Sequence, residues 1–435
     1  MLLKIVLLTL LLYVLYCYYN SNTTNTTTNT IIVPTTIEVD RFINDYTNQR
    51  HDIISNTCSK KFIAAVQDYS KYHSDSIKKL SNDNHHDIKL IVWRCPPEYH
   101  DDCKGLGDRL QGLVTTFLIA IVTKRIMLIE WHDILSIFTP SSFNWTYIPS
   151  FIKNKTIGGV GGNLEWKYCQ NELYPEICMN PDPNNYTSDV IMLNATNRPM
   201  TYSMFHDKRY NWWKEQLISI GLTHDYCFSC LLSQLIIPQQ RIMRQFSPYG
   251  INLFNSNTFS IGLHVRLGDR EMTGHSKLTS YHYKTIFQNV VKKRFNAANM
   301  IGCNYSNSIT ILFLSDSIKL RNMVSDYYSS PISTEIYNCT ISKVIIPPYE
   351  PKHIDVREHK VKKHVNVSGK RQYSYTTSAG EWWLLSLCNL TILEGEESGY
   401  SRTSYAFSFN KGANTHGIIY QSPGTAKLGH NEQGL

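Results

Sequence analysis

The sequence predicts an α/β protein made of two Rossmann-like units facing one cleft, and three observations carry that prediction. Short apolar runs alternate with helical stretches along most of the chain, the pattern of parallel strands joined by helical crossovers. The alternation comes in two blocks, one opening near residue 88 and one near residue 259. The chain also has 435 residues, 42% apolar and 12% aromatic, enough for more than one buried core. The same figures exclude a mainly disordered, collagenous or mini-protein chain. Charged residues are only 18%, and 43 Lys+Arg against 35 Asp+Glu leaves a net charge of +8. That balance favours anionic ligands but is too dilute for a nucleic-acid tail, so no nucleic-acid partner is expected.

Taken in order, residues 5–19 (IVLLTLLLYVLYCYY) are an uncharged run behind Lys4. Interfacial tyrosines compensate for its shortness as a bilayer span. Its Tyr-Cys-Tyr-Tyr end lacks a small-residue cleavage pattern, so 1–19 reads as an uncleaved signal anchor in the membrane with the remainder lumenal, a single-pass type II arrangement. Residues 20–36 are polar and of low complexity, a flexible stem. Residues 37–84 have helical periodicity at Val39, Phe42, Ile43 and Tyr46, then at Phe62, Val66 and Tyr69, and read as a stalk or a packing segment.

The first unit, 85–250, opens with IKLIVW (88–93), a turn containing Gly105 and Gly107, a helix from about Arg109 to Lys124, and IMLIEW (126–131), which together make a βαβ unit. Residues 132–250 mix Pro, Trp and short apolar runs and read only as α/β with large loops. The second unit, 251–435, opens with FSIGLHV (259–265). After it come a helix around 280–298, strand ILFLS (311–315), a helix to about Tyr328, strand SKVIIP (342–347), a helix around 380–388, strand TIL (391–393) and a helix from about Ser401. Two such blocks make the GT-B arrangement.

Ten N-x-S/T sequons occur, at Asn22, Asn25, Asn144, Asn154, Asn185, Asn194, Asn304, Asn338, Asn366 and Asn389. Of 11 cysteines, Cys17 lies in the anchor and the other ten form an even set that can pair in an oxidising lumen. Cys95 and Cys103 are close enough for a local bridge. Cys227-Phe-Ser-Cys230 would suggest zinc or redox chemistry in a cytosolic protein, but no second C-x-x-C accompanies it and disulfides are favoured here.

Three constellations carry chemistry. In Cys103-Lys-Gly-Leu-Gly-Asp-Arg-Leu-Gln-Gly112, glycines admit a ligand to the backbone and the amides of the helix start attract an anion or a sugar hydroxyl. The plainer reading is a tight turn in which Asp108 caps the helix and Arg109 is solvated. In His264-Val-Arg-Leu-Gly-Asp269, Arg266 stands at the carboxyl end of a strand, where α/β ligands bind, and a guanidinium can grip two phosphate oxygens at once. A satisfied core histidine and a local Arg266–Asp269 pair are the alternatives. In the segment from Glu381 to Arg402, an apolar helix feeds a strand and a Ser/Gly turn, so Ser398 and the amides near Gly399 can hold phosphate, while Glu381 can accept two N–H bonds from a guanine edge. Trp382–Trp383 reads as core. The basic stretch Lys360 to Arg371 reads as a solvated loop rather than a phosphate lid.

Gly105-Leu-Gly107, His264-x-Arg266-x-x-Asp269, Phe313-Leu-Ser-Asp316 and the Glu381 to Arg402 segment occur in the order and rough spacing of the superfamily of α1,2-, α1,6- and protein O-fucosyltransferases. The chain resembles that family, most nearly the α1,6 type. The resemblance implies a GT-B fold, GDP-fucose as donor, a glycan or glycoprotein acceptor, inversion at the anomeric carbon, no required metal or other cofactor, and a Golgi membrane location. It implies that Arg266 holds the β-phosphate, His264 supports the nucleotide, Glu381 replaces a guanine-reading Asp, Ser398 contacts phosphate, and Gly105 and Gly107 shape the cleft; Arg109, Asp316, Gly399 and Arg402 join the donor side. Two departures stand out. Leu267 replaces a second Arg, and Gly274 falls where the family's proposed base would be, leaving Asp269, Glu271 or Asp108 as candidate bases. Independently, no D-x-D occurs in the chain, so leaving charge must be met by arginine and helix amides. A glycosyltransferase with another nucleotide sugar and a non-catalytic carbohydrate-binding surface protein are the rival readings.

Overall fold

The computed structural model describes residues 34–81, 88–95, 103, 105–149, 166–170, 189–194, 201–254, 257–267, 278–328, 340–349, 367–394, 399–408 and 418–420. The expected anchor lies outside them, and no described helix is long and apolar enough to cross a membrane.

The chain opens with helices α1 (Thr36–Thr57) and α2 (Lys60–Ser81). Thr35 starts α1 with a reciprocal cap: its hydroxyl accepts from the Glu38 N–H at 3.3 Å, and Glu38 Oε2 accepts from the Thr35 N–H at 2.7 Å. Both helices contact the rest of the protein. Phe42 and Tyr46 lie with ring centroids 5.9 and 5.6 Å from that of Trp383, and Cys58 is bonded to Cys230.

The first sheet contains β1 (Leu90–Cys95), β2 (Ile126–Trp131), β4 (Trp166–Gln170) and β5 (Val190–Asn194), in the order β2-β1-β5-β4 and parallel throughout. Helix α3 (Leu106–Val122) connects β1 to β2. Between and after these strands, the stretch that reads poorly in sequence forms a two-stranded antiparallel pair, β3 (Phe138–Pro140) with β6 (Ile236–Pro238). It also forms helices α4 (Thr201–His206), α5 (Asn211–Ser219) and α6 (Cys227–Leu235). Helix α7 (Gln240–Leu253) leads into the second sheet, so the division at residue 250 falls inside a helix.

The second sheet holds β7 (Phe259–Val265), β8 (Ser308–Ser315), β9 (Thr340–Ile345), β10 (Leu390–Glu394) and β11 (Ile418–Tyr420), in the order β11-β10-β7-β8-β9, again all parallel. β7 is central and every one of its residues is buried, which is why FSIGLHV reads as a continuous apolar run rather than an alternating one. From β7 the chain passes through α8 (Ser280–Ile286), a π-helical turn and α9 (Lys292–Gly302); α10 (Ile318–Tyr328) comes after β8. Helix α11 (Val367–Ser386) begins well before the expected residue 380, so Val367–Arg371 is helix rather than loop, and α12 (Gly399–Ser408) comes after β10.

The largest core cluster takes one face of each sheet (Trp93, Ile129 and Leu193; Leu312, Leu314 and Ile345) together with residues of α1, α2, α3, α6, α7, α11 and α12. Helices α11 and α12 come after strands of the second sheet, yet α12 packs on α3 of the first unit. A Cβ added to Gly380 on α11 would meet Phe246 of α7 at 2.1 Å, so only glycine permits that approach. Trp382 and Trp383 are fully buried, consistent with their reading as core. Burying a large apolar side chain contributes about 1.5–3 kcal/mol.

Cysteine pairing departs from the even-set expectation. Cys95–Cys103 forms as expected, and Cys303 is disulfide-bonded, but Cys227 is a free, buried thiol and the buried Cys388 thiol donates to the Leu384 carbonyl at 3.7 Å. Cys230 is spent on Cys58, so the C-x-x-C pair does not act as a unit. Burial raises the Cys227 thiol well above its usual range, and Cys227 behaves as a small apolar side chain.

Candidate functional site

Two strand ends carry the residues singled out by sequence. At the first, β1 ends in Cys95, bridged to Cys103, and the chain enters α3 through an extended Gly105. Asp108 Oδ2 accepts from the Gly105 N–H at 3.2 Å, satisfying an amide at the helix start. Because α3 begins at Leu106, Gly107 lies inside its first turn and is buried. Arg109 corrects the solvated reading, being 0% exposed. Its guanidinium lies 5.0 Å from the Trp131 ring centre and 5.9 Å from that of Tyr375, with Nη1 donating to the Tyr375 hydroxyl at 3.4 Å and 3.2 Å from Cys95 Sγ. Helix α3 is wrapped by protein on nearly every side, so the arginine's apolar stem and aromatic partners place it in the packing between α3, β2 and α11.

The second strand end differs. Arg266, one residue beyond β7, is exposed. Behind it His264 is 8% exposed, with Nδ1 2.6 Å from Ser401 Oγ and its ring 5.3 Å from that of Tyr400. Burial, and after it the charges of Arg266, Arg321 and Arg294, lowers the His264 pKa to about 3, so its imidazole is neutral and its polar contact serves to seat α12. Asp316, one residue past β8, accepts from the Leu267 N–H at 2.7 Å, and thereby ties the residue after Arg266 to the neighbouring strand end.

Glu381 requires a correction. It is 6% exposed, and the two hydrogen bonds expected from a guanine edge come instead from Arg321, at 2.6 Å to Oε1 and 2.9 Å to Oε2. A carboxylate on an apolar helix needs such a partner, since an unpaired buried charge is costly. Arg321, 2% exposed, also donates to the carbonyls of Ser315 (2.7 Å), Pro347 (3.2 Å) and Tyr349 (3.2 Å). It thus ties the ends of β8 and β9 to α11. Arg294 donates to the His264 carbonyl at 3.3 Å. Among the described residues, three guanidiniums, Arg266, Arg294 and Arg321, and the carboxylates of Asp316 and Glu381 gather at this end of the sheet.

Sequence reading missed Arg321, Arg294, Tyr400 and Ser401. The one legible signal was Glu381 itself, an acid in an apolar run that had to have a basic partner. Helix α12 is held by hydroxyls: Tyr400 donates to the Ser378 carbonyl at 2.7 Å, Thr403 Oγ1 accepts from Trp382 Nε1 at 3.1 Å, and Ser404 donates to the Trp382 carbonyl at 2.7 Å. Gly399 is its first residue and Arg402 its fourth. Asp269, Glu271 and Ser398 lie outside the described residues. Through α12 the structure connects the two strand ends, because this helix touches His264 at one point and packs on α3 at others. Among the described residues no cluster of three or more His, Cys, Asp or Glu is arranged to hold a metal. A cavity of about 140 Å³ lies apart from these groups, between α7, α10 and β9, where Lys343 donates to Asn252 Oδ1 at 2.9 Å.

No protein-family model matches the sequence, and no curated protein matches it. Among solved structures, a mutant of Arabidopsis thaliana FUT1 in complex with GDP is similar with a TM-score of 0.56, at 16% identity, over 81% of this chain and 78% of that one. The chain shares its fold with that plant fucosyltransferase. The fucosyltransferase NodZ from Bradyrhizobium is also similar, at 12% identity over 73% of this chain and 91% of that one, with a TM-score of 0.44. Two parallel sheets with mixed α/β packing are consistent with a GT-B-like fucosyltransferase fold.

Proposed function

We propose that the protein is an inverting GT-B glycosyltransferase that moves fucose from GDP-fucose to a hydroxyl of a glycan or glycoprotein. The observation that carries this reading is an exposed Arg266 at the carboxyl end of the central strand β7, in a chain whose fold is that of a fucosyltransferase solved with GDP. In this reading the acceptor oxygen attacks the anomeric carbon from the face opposite the diphosphate, the carbon–oxygen bond to the β-phosphate breaks, and the electron pair leaves with GDP. Arg266 meets that charge, aided by the amides at the start of α12, with Ser398, Gly399 and Arg402 around the phosphates. Asp269 or Glu271 takes the acceptor proton. Asp108 is the weaker candidate, since its carboxylate already holds the Gly105 amide.

His264, Asp316 and the Glu381–Arg321 pair act in this scheme by holding the sheet edge in shape rather than by touching the donor. In this scheme Gly105, at the N-cap of α3, and Gly107, in its first turn, contribute to the opposing wall. The lack of D-x-D supports transfer without a required metal, and the apolar run at 5–19 supports a type II Golgi membrane placement.

The test is release of free nucleotide from GDP-fucose, GDP-mannose and UDP-sugars in the presence of a glycan array. Selective turnover of GDP-fucose with fucose appearing on an array member is the expected result. Preference for a UDP-sugar, or no calorimetric heat with GDP, would overturn it.

A further inference from the structure

We infer that Asn144 and Asn304 carry N-linked glycans, and that Asn389, which has the same tripeptide signature, does not. The three sequons are alike in sequence and unlike in the fold. Asn144 is exposed in a turn held on both sides by buried aromatics, Phe143 and Trp145. Trp145 Nε1 donates to the Leu235 carbonyl at 2.8 Å, and the Ser142 N–H donates to the Gln234 carbonyl at 3.0 Å. Phe143 and Trp145 point inward, so the residue between them points out. Within the tripeptide, the Thr146 N–H donates to Asn144 Oδ1 at 3.0 Å and the Thr146 hydroxyl donates to the same oxygen at 2.5 Å. This is an Asx turn. It gathers the carboxamide and the required hydroxyl on one exposed side, and occupying Oδ1 leaves Nδ2 as the outward group.

Asn304 is exposed in the turn that ends α9, where its N–H donates to the Ile301 carbonyl at 3.1 Å and the Ser306 N–H to that of Gly302 at 3.0 Å. Tyr305 beside it is 58% exposed and stacks on Phe259 at 4.8 Å, which pins the turn to the sheet while its outer face stays open. Asn389 is the opposite case. Its Oδ1 accepts from both the N–H and the hydroxyl of the buried Ser260, each at 2.8 Å, and its own N–H donates to Ser260 Oγ at 3.0 Å. That clasp sits one step before the Leu390–Ile261 pair of the β10–β7 ladder, and Thr391, the hydroxyl residue of the sequon, is buried in β10.

The modification takes a lipid-linked oligosaccharide as donor. The sugar C1–oxygen bond to the lipid pyrophosphate breaks and its electrons leave with the pyrophosphate. A C1–Nδ2 bond forms, and one Nδ2 proton is lost to base. The experiment is expression of the full chain in a eukaryotic host with N-glycosylation, then peptide N-glycosidase in heavy-oxygen water and peptide mass spectrometry. Asn144 and Asn304 should be recovered as heavy-oxygen-labelled aspartate, and Asn389 as unlabelled asparagine. Asn144→Gln and Asn304→Gln should each remove one enzyme-sensitive mobility step. Thr146→Ala should also abolish the Asn144 glycan, and Thr146→Ser should retain it. A labelled Asn389, or unmodified peptides at Asn144 and Asn304, would overturn the inference. Its outcome is independent of whether the protein transfers fucose.

Discussion

Arg109 and Arg266 follow the first strands of the two sheets, Arg109 in the opening turn of α3 and Arg266 one residue past β7, and they meet opposite fates. Arg109 is enclosed by Trp131, Tyr375 and the Cys95–Cys103 bridge, whereas Arg266 projects from β7 in front of two further guanidiniums that are themselves buried. The difference lies in the backbone on the C-terminal side of each strand. Past β1 comes a helix covered on almost every side by protein, and past β7 the Leu267 N–H is held by Asp316. A guanidinium in the first setting has aromatic faces to fill and in the second has charge to offer.

The strongest test of that contrast lies at the group behind Arg266. Arg321→Ala leaves Glu381 as an unpaired buried carboxylate and frees three carbonyls, and should cost about 3–5 kcal/mol of stability by urea titration; a loss under about 1 kcal/mol would show the pair to be dispensable. Arg266→Ala should lower turnover of GDP-fucose by about 100- to 1000-fold, about 2.7–4 kcal/mol in the barrier, with the melting temperature unchanged. Arg109→Ala should do the reverse, costing about 2 kcal/mol of stability from lost cation–π packing while each folded molecule keeps its activity. Loss of turnover in a folded Arg109→Ala protein would erase the distinction.

His264 supplies a pH test. Its folded pKa is depressed to about 3 from 6.5, so below pH 6.5 the unfolded chain takes up a proton that the folded chain refuses, and stability falls with pH until about pH 3. Between pH 7 and pH 5 this amounts to about 2 kcal/mol, and His264→Gln should remove that increment from the urea midpoints. His73, whose pKa is also lowered by burial, stays in both proteins and cancels. The mildest change belongs to the β7–β10 seam. Asn389→Ala loses the clasp on Ser260 and should cost about 1–2 kcal/mol, measurable by thermal melting without a change in glycan occupancy elsewhere.

Strands buried on both faces were the legible part of the fold. IMLIEW and FSIGLHV coincide with β2 and β7 to the residue, because strands of a parallel sheet covered by helices read as apolar runs, central β7 and outer β2 alike. The antiparallel pair β3–β6 was not legible. Each strand has three residues and ends in proline, and the two lie far apart in the chain, so no local pattern announces the pairing. The early start of α11 was hidden for a related reason, since Lys370-Arg-Gln-Tyr-Ser-Tyr-Thr-Thr377 shows no apolar period. At the site, Arg266 and His264 were visible because strand-end chemistry is local. The Arg321–Glu381 pair was not, because its members lie on different helices and only the folded sheet brings them together.

The contact of Phe42 and Tyr46 with Trp383 has a consequence for biosynthesis. The first described helix, α1, meets this aromatic partner only when translation is nearly finished. Phe254 offers a native partner partway through synthesis, but the apolar face is completed only by Trp383, and until then the nascent polypeptide must be kept from sticking to its neighbours.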